Sequence, residues 1–336
     1  MNVQQKTAEC QGVIFGSGTN TSQWWGPVLD QGAKRLSRCS KLKNRLLEAN
    51  GAIHADPPEQ LQFLHSVMCQ VGLPRKKTTA RAFARRSGRV SILLEAGKLF
   101  DGTDFVDRPL PYGAIPRLIL VHASTEAIRT RQRTIDVGDS MRQFLNTLGM
   151  QTNGGVRGGY TALRQQMESL AACRLTLGTY AAGRAVTVDA KPIKRFEAWL
   201  DRDANQRTLW PGALELSEEF FNALSEHAVP LDPRALATLK HSSLALDVYA
   251  WLAQRLCRIK PSGGTRLSWQ ALQEQFGQEY ATAKNFKREF RHALGQAWSV
   301  YPDARLQLAN GGLVLYPSPP PVRRTIISVG RPGGVL

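Results

Sequence analysis

Apolar residues recur at helical spacing through Leu244, Val248, Trp251, Leu252, Leu256 and Ile259, which predicts one long buried helix. Pro261, Gly263 and Gly264 stop it. After Ser268, an N-cap, Trp269, Leu272 and Phe276 mark a short second helix closed by Gly277. A third helix follows from about Thr282. It places Phe286, Phe290, Ala293 and Ala297 on one face and Lys284, Arg288 and Arg291 on the other, with Lys287 flanking. Residues 304–308, Asn310-Gly311 and residues 313–316 then read as a hairpin with a type I′ turn. Three helices followed by a hairpin is the order of a winged helix, whose third helix can enter a major groove while the hairpin lies along the neighbouring backbone.

The preceding part of the chain repeats the theme. Residues 59–68, with Leu61, Leu64, His65 and Met68, suggest a short helix ended by Gly72. Residues 90–94 are strand-like, and residues 100–110 resemble a hairpin around Asp101-Gly102. An apolar run at 115–122 opens a folded domain, residues 125–130 read as helical, and Asp139 or Ser140 caps a helix that Gly149 ends. Leu163, Met167 and Leu170 mark another helix, followed by strands at 174–179, 185–188, 193–199 and 212–216. Ser217 then begins a helix carrying Phe220, Phe221 and Leu224. The expectation is an α+β chain, mostly helical with small β-hairpins and sheets, built as tandem winged-helix domains. Residues 1–58 read as a flexible basic arm, 59–232 as the first domain and 233–316 as the DNA-reading domain. Residues 317–336 form a disordered tail of polyproline character. Pro230 to Pro233 is the joint, kept short by a helix from Arg234.

Charge sharpens this picture. Among 336 residues, 44 Lys and Arg stand against 27 Asp and Glu, giving +17 and a pI near 10.1. That balance favours a polyanionic partner, nucleic acid ahead of an anionic membrane surface. No apolar run is long enough to span a bilayer and no signal-like start is visible, so a cytoplasmic protein is expected. Residues 237–316 carry ten Lys or Arg against five acids, and residues 71–133 carry thirteen against five. Most basic stripes are merely solvated faces. Four cations on one helix face, in this helix order and before a hairpin, favour DNA contact by Lys284, Asn285, Lys287, Arg288 and Arg291, with Arg305 beside the hairpin. Arg75, Lys76, Lys77, Arg85 and Arg86 offer either a second phosphate footprint or a solvated surface. The cluster Lys34, Arg35, Arg38, Lys41, Lys43 and Arg45 reads as a basic helix before Asn50-Gly51, open to the same two interpretations. Trp24-Trp25 either docks on a partner or packs back on the protein.

Several chemistries lack their residues. Pro74 to Thr79 has lysines but no glycine directly before one, so it is not a Walker loop. The glycines of 154–159 join two helices and do not leave a strand, which argues against a nucleotide site. Cys10, Cys39, Cys69, Cys173 and Cys257 form no Cys-x-x-Cys pair, and the six histidines form neither His-x-His nor His-Glu-x-x-His. No metal, no cofactor and no enzymatic activity is expected. A nicking initiator would need such a histidine pair beside a nucleophilic tyrosine, and Tyr249, Tyr280, Tyr301 and Tyr316 are better explained as core or edge aromatics.

Separate blocks resemble the RepA-type replication initiators of bacterial plasmids. They are Gly72-Leu73-Pro74-Arg75, residues 90–97 (VSILLEAG), residues 110–118 (LPYGAIPRL), Glu126-Ala127-Ile128-Arg129-Thr130 and Gly138-Asp139-Ser140. The resemblance covers roughly residues 72–316. It implies a protein that binds directly repeated double-stranded sites, or iterons, at a plasmid origin, helps open the duplex, and recruits the host initiator and replicative helicase. It also implies a homodimer that represses transcription, and hence control of copy number. The DNA role is carried to Lys284, Lys287, Arg288 and Arg291 by their position on the third helix. A winged-helix transcriptional repressor without a replication role is the alternative.

Overall fold

The structure is a computed structural model that describes residues 33–138, 140–150, 152–155, 158–181, 183–189, 191–196, 213–260 and 263–322. Cys10, Trp24-Trp25, Asp139 and everything after Val322 lie outside this set.

The chain enters as helix α1 (Ala33–Ala55), which passes through Asn50-Gly51, where an end was expected. Its Leu46 and Ala49, three positions apart, are buried, so this part of the predicted arm is docked. Asn50 Nδ2 donates to the Ser299 carbonyl at 2.7 Å, and Arg234 Nη1 donates to the Ala52 carbonyl at 2.7 Å. The helix predicted over 59–68 is instead strand β1 (Gln62–His65) followed by the five-residue helix α2 (Ser66–Gln70). Local apolar spacing suited a helix, but residues 62–65 find an antiparallel partner at 228–231, and tertiary pairing overrides local preference. His65 marks the switch, its Nδ1 accepting from the Val67 backbone N–H at 3.1 Å.

Strands β2 (Ala82–Ser87) and β3 (Val90–Glu95) and the hairpin β4 (Lys98–Phe100) and β5 (Phe105–Asp107) precede the first winged-helix unit. That unit opens on α3 (Ala114–Thr130), one helix that unites the two predicted segments and carries Pro116 in its first turn, where its missing N–H is harmless. It continues through β6 (Thr134–Asp136), α4 (Met141–Thr147) capped by Ser140, and α5 (Gly159–Ala172). The hairpin β7 (Arg174–Ala181) and β8 (Arg184–Asp189) leaves the unit and joins β2 and β3 in a four-stranded sheet of order β2-β3-β7-β8. The chain then returns through β9 (Ile193–Phe196) and β10 (Ala213–Leu216), giving a sheet of order β6-β10-β9.

Helix α6 (Glu218–His227), capped by Ser217, leads to β11 (Ala228–Leu231) and α7 (Pro233–Leu239). The expected joint is therefore built in, because β11 pairs with β1 and Asp232 caps α7. The second unit is α8 (Ser243–Arg255), β12 (Thr265–Ser268), α9 (Trp269–Phe276), α10 (Ala283–Ser299), β13 (Leu306–Ala309) and β14 (Gly312–Leu315), with sheet order β12-β14-β13. Helix, strand, helix, helix and two strands, with the last strand in the middle of the sheet, describe both units. The fold is α+β with tandem winged helices.

The second hairpin turns at Asn310-Gly311, as predicted, but neither residue has a positive φ, so the turn is not type I′. Glycine is needed one position later. A Cβ on Gly312 would lie 1.9 Å from the Leu267 carbonyl oxygen, where β12 and β14 approach. The start of the predicted tail is also ordered by contacts: Ser318 and Val322 are buried, and Tyr301 Oη donates to the Pro319 carbonyl at 2.6 Å. Both units share one continuous apolar core.

Candidate nucleic-acid interface

Helix α10 starts where Thr282 Oγ1 accepts from the Asn285 N–H at 3.2 Å. Its inner face, Phe286, Phe290, Ala293, Leu294 and Ala297, is buried. Phe290 packs within an aromatic cluster, 5.4 Å from Phe276, 5.4 Å from Phe286 and 6.1 Å from Trp269 between ring centroids. This packing fixes the helix axis and aims the other face outward. Lys284, Asn285, Arg288 and Arg291 are exposed there, and Lys287 is half-buried.

Trp269 gives that face part of its shape. Lys287 Nζ stands 5.7 Å from its ring centroid and the Arg291 guanidinium 5.2 Å, so the indole braces two of the four cations from the core side. Sequence periodicity assigned Trp269 to core alone; no pattern in the chain announces that its ring lies beneath cations 18 and 22 residues later. Arg288 Nε meets Glu289 Oε1 at 3.0 Å, an exposed ion pair that is weak in water and readily exchanged. The Trp269 N–H donates to the Gly311 carbonyl at 3.1 Å, which ties the hairpin turn to the start of α9. Arg305 is exposed just before β13.

The predicted second footprint divides. Lys76, Lys77 and Arg86 are exposed, whereas Arg75 and Arg85 are turned inward, their side chains 6% and 0% exposed. Both converge on Glu279, three residues before the α10 N-cap: Arg75 Nη2 lies 3.2 Å and Arg85 Nη2 3.1 Å from Glu279 Oε2. The backbone N–H groups of Arg75 and Lys76 donate to Glu279 Oε1 at 2.8 and 3.1 Å. Arg85 also donates to the Gly72 carbonyl at 3.0 Å, and burial lowers its guanidinium to about 10. A solvated phosphate role for Arg75 and Arg85 is thus corrected for this conformation: they clasp the two units together. Spacing could not reveal this, since their acid lies about 200 residues away.

A second clasp lies alongside. Arg117 of α3 meets Asp247 of α8 through two parallel bonds, Nε to Oδ1 at 2.6 Å and Nη2 to Oδ2 at 2.8 Å, and also donates to the Leu73 carbonyl at 2.6 Å. A Cβ on Gly72 would lie 2.4 Å from Asp247 Oδ2, so only glycine leaves the carboxylate its place. The Gly72-to-Arg75 block and Arg117 are therefore parts of the junction between units. The clasp through Glu279 sets Lys76 and Lys77 next to the start of α10, and Arg86 lines one groove with Gln278.

The equivalent helix of the first unit, α5, differs. Arg164 pairs with Glu168 at 3.3 Å, Glu168 also meets Arg108 at 3.1 Å, and the β4–β5 hairpin packs beside the helix. Among the described residues no group of three or more His, Cys, Asp or Glu side chains is arranged to hold a metal, and no helix is long and apolar enough to cross a membrane.

No curated protein matches the chain. A solved structure of domains 2 and 3 of RctB, a selenomethionine derivative, aligns with 9% identity over 74% of this chain and 96% of its own, at a TM-score of 0.44. The profile of the family described as plasmid encoded RepA protein matches residues 110–271, from just before α3 into the first turn of α9. Residues 110–271 are thus similar to the family described as plasmid encoded RepA protein, a stretch that contains three of the five sequence blocks, at 110–118, 126–130 and 138–140.

Proposed function

We propose that this protein initiates plasmid replication by binding directly repeated duplex sites at an origin, with α10 as the reading helix. The observation that carries the reading is the outward face of α10, where Lys284, Asn285, Arg288 and Arg291 are exposed and the Trp269 ring braces Arg291 and Lys287. Arginine and asparagine are suited to bidentate contacts with guanine and adenine edges, and lysine to phosphate. Lys76 and Lys77, beside the start of α10, with exposed Arg86 and Arg305, suit backbone contacts. Binding free energy, DNA bending and partner contacts drive strand opening, without catalysis by this chain. Host initiator and replicative helicase are the partners recruited, and a homodimeric form represses transcription.

The test is binding of the purified protein to a duplex carrying the tandem repeats of its own replicon, against a scrambled duplex, at two salt concentrations. Tight repeat-dependent binding that survives the higher salt is expected. Equal, salt-sensitive binding to both duplexes would reduce the +17 charge to a general affinity for polyanions and remove the reading. Retention of a small plasmid in cells supplying the protein separates an initiator from a repressor, because repression alone maintains no origin.

A further inference from the structure

The β4–β5 hairpin presents a surface that DNA reading leaves unused. Phe100 and Phe105 face each other across it in register, with ring centroids 5.4 Å apart. They are 58% and 63% exposed, two of the largest apolar groups left in solvent among the described residues. The turn between them holds Asp101 and Asp104, and Asp107 follows. Asp101 Oδ1 accepts from the N–H groups of Thr103 and Asp104, at 2.9 Å each, and these bonds hold its carboxyl below the usual carboxylate range. The tip is thus an apolar pair on a turn that stays anionic. Paired exposed aromatics of this kind mark contact sites, and the carboxylates turn this one away from phosphate.

Charge also selects the seat. Two tips meeting symmetrically would bring the aspartates of both copies together, which is repulsive. A cationic groove lies on the second unit, at the end of α8. It has a volume of about 520 Å³ and is lined by Arg255, Arg258, Lys260, Ile259 and Gly264 among others, with no carboxylate. The buried Nε of Arg255 has no hydrogen-bond partner there, although buried donors normally find one. Hairpin and groove sit on different units of the chain, so joining them between copies is a head-to-tail contact. Copies bound to direct repeats share one orientation and can meet only in that way; this part of the argument rests on the function proposed above.

We propose that the Phe100/Phe105 tip of one copy docks into the Arg255/Arg258/Lys260 groove of a second copy of this chain, linking copies head to tail. The rings fill the groove beside Ile259 while Asp101 and Asp104 face its cations. The test needs no DNA. Full-length protein with a benzophenone-bearing phenylalanine in place of Phe105 is mixed with 15N-labelled wild-type chain, irradiated, and the cross-links are mapped by mass spectrometry. The expected product joins the labelled peptide containing residues 255–260 to the hairpin of the other copy. Asp104→Lys, an exposed turn position, should lower its yield severalfold, and labelled chain carrying Arg255→Glu and Arg258→Glu should restore it. Cross-links only within one copy or to another surface, none at high protein concentration, or a yield indifferent to Asp104→Lys overturns the proposal. Binding of the same samples to a single-repeat duplex reads the DNA function separately. Its failure alongside a retained cross-link sinks the DNA reading and leaves this contact standing.

Discussion

The third helices of the two winged-helix units occupy the same place in the same topology, yet they meet opposite surroundings. On α10, Lys284, Lys287, Arg288 and Arg291 face outward with Glu289 as the lone acid of the helix. On α5, Arg164 is matched by Glu168 within the helix and Arg108 closes on the same carboxylate. The first unit also sends out the β7–β8 hairpin and accepts the β4–β5 hairpin against α5, whereas the second keeps its plain wing. Topology alone therefore does not make a reading helix. The face must be clear of packed protein elements and carry more cations than acids: α10 sets four cations against one acid, and the exposed Arg288–Glu289 pair is weak in water.

The clasp offers the hardest way to break this comparison. Asp247→Ala leaves Arg117 buried without its carboxylate, which is expected to cost about 3–5 kcal/mol. Because the units share a core, denaturant unfolding of both wild type and variant should remain one transition; separate transitions would mean that the units fold independently. Next, Arg288→Ala or Arg291→Ala should cost about 1–3 kcal/mol on the cognate repeat and less on random DNA, measured by titration of labelled duplex. Arg164→Ala on α5 is the matched control, with binding expected to change by less than about 0.5 kcal/mol. A loss as large as that at Arg288 would make α5 a second reader.

Stability should depend on pH through His65, at the switch from β1 to α2, stacked on Phe220. Burial, with a smaller push from His227, lowers its imidazole to about 4, and its neutral Nδ1 accepts the Val67 N–H. The unfolded chain takes up this proton near pH 6.5 and the folded chain does not, so stability is complete above about 6.5 and falls as pH drops towards about 4. At pH 5.5 the loss is about 1 kcal/mol, and His65→Gln should flatten that slope in thermal melts. The smallest effect concerns phosphate contacts. Lys76→Ala and Lys77→Ala should each reduce the slope of log K against log salt by about 1 without altering sequence preference. An unchanged slope would place both lysines off the duplex.

Much of this was legible locally. The caps at Ser140, Ser217, Ser268 and Thr282, the apolar stripes of α8, α9 and α10, and the strands at 174–189 follow from short-range pattern, because caps and periodicity act within a turn or two. The basic face of α10 was legible for the same reason. Residues 62–65 were misread because their partner strand lies at 228–231, and the predicted arm hid a docked helix because its partners are α7 and α10, some 180 to 250 residues away.

By itself, then, the sequence determined the capped, amphipathic helices of the second unit and their order, the +17 charge and the cations of α10, all of which depend on residue type and spacing along a few turns. Tertiary structure alone decided which cations remain available. Arg75 and Arg86 look alike in the chain, but one is buried on Glu279 and the other stands in solvent. The reason is physical: these guanidinium groups are withdrawn from water where a carboxylate arrives to pair with them. Glu279 and Asp247 arrive from about 200 and 130 residues away, a distance that only the folded chain closes.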